Sequence, residues 1–221
     1  MKIIEKFSNG IRRSFFPTWF WLSITWIAIL VFTILGPAEH SLGTHIRVVY
    51  LHGAWVWAAI VLFFVSAVSA VIGFLTDRNS FHCWSSAFGR TGLLLWITYL
   101  PLSLWAMQAN WNGLFLAEPR WRLAVVFAIS GLMLQIGLSL ADKLKLTSAM
   151  NILFSVALIL AILKTPNVMH PASPILGSTA WRIQIYFAGL VILMLIAAWQ
   201  IARWWFTREQ YCTAQQTRIK T

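Results

Sequence analysis

Uncharged apolar runs recur along this chain, each close to the roughly 20 residues that a helix needs to cross the hydrocarbon core of a bilayer. They fall at about 18–36, 48–75, 91–109, 123–141, 146–163 and 183–202. No water reaches peptide groups inside lipid, so such runs fold as helices that close their own hydrogen bonds. Hydrophobic residues make up 59% of the sequence and charged residues 10%, a composition foreign to soluble domains. The expected fold is all-α: a polytopic membrane helix bundle of six transmembrane helices, spanning 1–221 as one domain with no soluble part. The second run is long enough to tilt. The first is too long for a signal-peptide core and lacks a small-residue cleavage site, so it is expected to persist as an anchor.

A formal charge of +11 would suggest nucleic acid as the partner of a soluble protein, but its placement here argues for lipid. Lys2, Lys6, Arg12, Arg13, Arg78, Arg90, Lys143, Lys145, Arg203, Arg208, Arg218 and Lys220 fall on one set of alternate loops and tails. These are twelve of the seventeen basic residues. Arg47, Arg120, Arg122, Lys164 and Arg182 fall on the other set. Positive charge stays on the cytoplasmic side of a membrane. Both termini are therefore expected in the cytoplasm, with the loops near 37–47, 110–122 and 164–182 on the outer face of the inner (cytoplasmic) membrane. Cys83, in an inner loop, and Cys212, in the inner tail, would sit in a reducing compartment, so no disulfide is expected. There is no Cys-x-x-Cys for thiol exchange and no Cys-x-x-Cys-His for covalent haem attachment.

The longer loops are all on the predicted outer side, where a site supported by a rigid bundle is expected. Ionisable residues are nearly absent from the spans, which argues against an ion-coupled pump or transporter. Gln108, Gln135, Asn151, Gln184 and Gln200 read as interhelical hydrogen-bonding groups. His52 opens the second span and His170 precedes the sixth. Four crossings separate them, so both come to the outer face. Two imidazoles are a common axial pair for haem iron. Around them stand Trp111, Phe115 and Trp121, suited to stack on a porphyrin, and Arg47 and Arg120, suited to its propionates. Segment 110–122 reads as an external aromatic platform along the interface. His40 and His45 read as solvated loop residues, His82-Cys83 as a weak soft-metal pair, and Trp204-Trp205 as an interfacial anchor.

Arg47-Val-Val-Tyr50-Leu-His52-Gly-Ala-Trp55 resembles the tyrosine-x-histidine segment that opens the second span in the cytochrome c maturation protein C family, membrane proteins that handle haem. Asn167-Val168-Met169-His170-Pro171 resembles the segment carrying that family's second external histidine. Span number, terminal placement and a tryptophan-bearing external element extend the likeness over nearly the whole chain. The family's tryptophan-rich motif reads approximately Trp-Gly-x-x-Trp-x-Trp-Asp-x-Arg. Here it is degenerate: Trp111-Asn112-Gly113-Leu114-Phe115-Leu116-Ala117-Glu118-Pro119-Arg120.

The resemblance implies non-covalent, b-type haem held at the outer face by His52 and His170, with Trp111, Phe115 and Trp121 against the ring. It also implies delivery to a haem chaperone or other cytochrome c biogenesis subunits, with no covalent catalysis by the chain itself. The degenerate motif leaves a second expectation beside this one: a haem-binding or purely structural subunit of a larger respiratory or photosynthetic membrane complex.

Overall fold

In the computed structural model of the chain, residues 18–166, 175 and 179–219 are described, with side chains as far as Arg208. His170, the basic residues before Thr18 and the side chain of Cys212 lie outside that range. Six helices follow one another: α1 (Thr18–Ile34), α2 (Ile46–Thr76), α3 (Asn79–Trp111), α4 (Pro119–Ala141), α5 (Leu144–Lys164) and α6 (Trp181–Ile219). Helices α2 to α6 are long and apolar enough to cross a membrane, whereas α1 is a shorter apolar helix of 17 residues. Large apolar side chains such as Leu75, Ile129, Leu140 and Leu163 point outward. Such a surface is unfavourable against water and ordinary against lipid. The protein is a multi-pass helical membrane protein.

Two tight turns join helices at one end of the bundle. Asp77 and Asp142 each take the left-handed conformation, with φ of 51° and 48°, ending α2 and α4 so that α3 and α5 begin almost at once. A short acidic side chain tolerates that conformation better than most. The loops at the other end are longer, running from α1 to α2, from α3 to α4 and from α5 to α6.

One expectation is corrected here. The polar stretch after Thr76 does not form a loop that reaches Arg90. The turn is confined to Asp77 and Arg78, and α3 runs on from Asn79, so Arg90, His82 and Cys83 are helical, the last two buried. From His82 on, the polar residues His82, Ser85 and Ser86 face other helices, whereas Asp77 to Ser80 are exposed; small residues let helix backbones approach closely in lipid. Ser85, Ser86 and Ala87 on α3 meet a similar row on α2 that includes Ala59, Ser66 and Ala70, all buried.

Helices α2 and α3 form the centre, α5 and α6 pack on both, α4 covers α3 and α5, and α1 leans on α6 and α2. A buried polar network ties four of them. Ser66 Oγ donates to Ser85 O at 2.7 Å, and Asn151 Nδ2 donates to the same carbonyl at 3.0 Å. Gln135 Nε2 donates to Asn151 Oδ1 at 3.1 Å, and Ser155 Oγ reaches Phe63 O at 2.9 Å. Nearer the tight-turn end, His82 Nδ1 and Ser148 Oγ are 2.8 Å apart. His82 therefore serves as a packing residue between α3 and α5.

Candidate functional site

A cavity of about 480 Å³ opens at the long-loop end of the bundle, within the usual range of small-molecule sites. Its walls come from α2, α3, the first turn of α4, the last turn of α5 and the start of α6. On α2 it extends from Ile46 to Ile60, about 21 Å at 1.5 Å per residue. The lining is mainly apolar and aromatic. Polar character comes from a few groups, among them His52, Tyr50, Tyr99, Glu39, Glu118 and Arg120.

His52 is half-buried on the cavity face of α2, and its ring centroid lies 5.6 Å from that of Tyr99 on α3. Beneath them, Trp96 is nearly fully buried and donates its indole N–H to Ala124 O at 3.1 Å. Tyr50 is completely buried, stacked obliquely 5.2 Å from Tyr186, and its hydroxyl has no hydrogen-bond partner among the described residues. Arg120, half-buried in the first turn of α4, extends Nη2 to within 3.4 Å of Ile162 O, while its Nε has no partner among the described residues.

The mouth is shaped by the α1–α2 loop. Glu39 and Gly43 exchange backbone hydrogen bonds of 3.1 and 2.7 Å, a closure that uses the positive φ of Gly43. Glu39 Oε2 accepts the N–H groups of Ser41 and Leu42 at 2.8 and 2.9 Å. Those donors, Leu42 foremost, hold its carboxyl below the ordinary carboxylate range. His45 is an exposed loop residue, as expected, and its Nδ1 also donates to Ala109 O at 2.7 Å, which ties the start of α2 to the end of α3.

Of the residues expected to form the site, His52, Trp111, Arg120 and Trp121 line this one cavity. They come from three helices. Segment 110–122 is not one continuous element: Trp111 ends α3, Asn112 turns the chain with φ of 52°, and Pro119 opens α4. An Asn in the left-handed position closes one helix and a proline at the first helical position starts the next, so the two tryptophans face the cavity from separate helix ends.

Arg47 and Phe115 stand off the cavity wall. Arg47 Nε donates to Gly36 O at 2.9 Å, which clamps the α1–α2 loop, and Phe115 lies exposed in the α3–α4 loop beside Gly113. His170 lies outside the described residues, but Ile175, five positions on in sequence, lines the cavity. Residues that sequence reasoning missed include Trp96, Tyr99, Ser103 and Met107. Their spacing of three and then four residues marks one face of α3. That stripe was the available signal.

Compared with protein-family models, curated proteins and solved structures, the chain matches none.

Proposed function

We propose that the chain is a haem-handling protein of the inner membrane, with six spans, cytoplasmic termini and its cavity at the outer face. It holds b-type haem without covalent attachment and passes it toward cytochrome c biogenesis, making and breaking no covalent bonds itself. One observation carries the reading: His52, Arg120, Trp111 and Trp121, far apart in sequence, share a single apolar cavity. The residues suit such a guest. An imidazole at the wall supplies an iron ligand, a half-buried guanidinium suits a propionate, and indole rings stack on a porphyrin. In this reading His170 is the second ligand, and a haem chaperone is the recipient.

The chain's own part is to exclude water around the ring, to hold the imidazole of His52 beside Tyr99, and to keep Arg120 near the mouth. The full chain, purified in detergent and mixed with haem, is expected to give a Soret band that weakens in His52→Ala and in His170→Ala. A protein that gives no Soret band, or a band indifferent to replacement of both histidines, would exclude this function.

A further inference from the structure

A second, smaller groove of about 160 Å³ lies between α1, α3 and α6, about 25 Å along α6 from the cavity residue Phe187 at 1.5 Å per residue. Its walls include Trp19 and Leu22 of α1, Leu94 of α3, and Ile201, Trp204 and Trp205 of α6. The rings are mutually packed: Trp19 and Trp204 meet edge to face at 5.6 Å, and Trp204 and Trp205 at 4.7 Å. Two arginines lie over these indoles, with Arg208 Cζ 4.1 Å from the Trp204 centroid and Arg90 Cζ 5.5 Å from that of Trp205. Exposed Arg203 immediately precedes Trp204. No acidic side chain lines the groove among the described residues.

We propose that this groove binds an anionic phospholipid, its chain against Leu22, Leu94 and Ile201 and its phosphate at Arg90 and Arg208. The geometry suits both halves of such a molecule. An apolar channel facing the bilayer takes a hydrocarbon chain, and guanidiniums ordered by stacking on indole present planar donors suited to phosphate oxygens. Basic pockets between membrane helices favour anionic headgroups for the same reason. A zwitterionic lipid has the chain without the net charge. Inorganic phosphate has the charge without the chain. The site is separate from the haem reading and does not depend on it.

Native mass spectrometry of the full chain in detergent tests this, with phosphatidylglycerol and phosphatidylcholine of identical chains supplied together. Phosphatidylglycerol is expected to be retained in preference. Loss of two arginines, each worth about 1 kcal/mol near an anionic surface, predicts that Arg90→Gln/Arg208→Gln weakens it about thirtyfold without altering phosphatidylcholine. Leu94→Trp, at an exposed wall position that leaves every charge in place, is expected to weaken it as well, and it keeps the test open if the double variant fails to fold. Equal retention of the two lipids, or phosphatidylglycerol binding unchanged in the variants that fold, overturns the proposal. Displacement of the lipid by inorganic phosphate alone overturns it in favour of a free-anion site.

Discussion

Gly89 sits where α3 crosses α5, and replacing it with alanine tests whether the buried polar network sets the spacing of the central helices. A Cβ there would lie 2.8 Å from Asn151 Nδ2, 2.9 Å from Oδ1 and 3.0 Å from Cγ, too close for any of them to remain in place. Asn151 has little room to retreat. It is 4% exposed, donates to Ser85 O and Oγ at 3.0 and 3.2 Å, and accepts from Gln135. Losing the two bonds to Ser85 costs about 1 kcal/mol at the average of roughly 0.6 each within membranes. Overpacking adds about 1–3 kcal/mol, while the better helix propensity of alanine returns up to about 1 kcal/mol. The net expectation is a destabilisation of about 1–3 kcal/mol, read by unfolding of the purified protein in detergent. Asn151→Ala removes the obstructing side chain, so Gly89→Ala/Asn151→Ala should lose about 1–2 kcal/mol less than the sum of the single changes. A neutral Gly89→Ala, or strictly additive costs in the cycle, would refute the argument.

Three further outcomes follow from other contacts. Gly36→Ala would place a Cβ 2.7 Å from the Tyr186 hydroxyl, which donates to Phe32 O at 2.7 Å; the expected loss is about 1–2 kcal/mol, visible as a lower melting temperature. Trp96→Phe removes the bond to Ala124 O from a nearly fully buried position at the cavity floor, and should cost about 1–3 kcal/mol while weakening any Soret band obtained with the parent protein. The Asp77 carboxyl is held below its ordinary value chiefly by the hydrogen bond from Lys145. Its contribution is therefore complete above the ordinary carboxylate pKa and disappears as pH falls through the lowered one. Asp77→Asn should accordingly differ from the parent slightly at pH 7 and not at all at strongly acid pH, in melts recorded at both; a gap that widens on acidification would contradict the sign.

Much of the bundle was legible because apolar length is a strong signal, and the runs beginning near 48, 123, 146 and 183 each fall within one helix. The sequence misled where polarity was taken for exposure. The stretch from Asp77 to Arg90 contains His82, Ser85 and Ser86, and those residues are buried between helices, so a helix of 33 residues was read as a loop and a shorter span. Gln135 and Gln200 were legible as interhelical donors, and they bond to Asn151 and Thr25. At the candidate site, Trp111 and Trp121 were recognisable as aromatic neighbours, but the turn at Asn112 that separates them onto two helices was not. Arg47 looked available for a ligand because its bond to Gly36 O depends on how the α1–α2 loop folds back. Sequence spacing carries no trace of that return.

Helix α1 leans mostly on the last helix of the chain. Tyr186 reaches back 154 positions to Phe32, and Gln200 reaches back 175 to Thr25. At synthesis rates of about 5–20 residues per second, that separation is roughly 8–30 s. Through this interval α1 is without its principal partner, while the α2–α3 hairpin, joined by its two-residue turn, can close at once. Of the six described helices, the earliest made is the last to meet its main partner. A chain interrupted before Trp181 would keep the central hairpin and leave α1 without the helix that carries most of its contacts, so the arrival of α6 is registered by the seam it makes with α1.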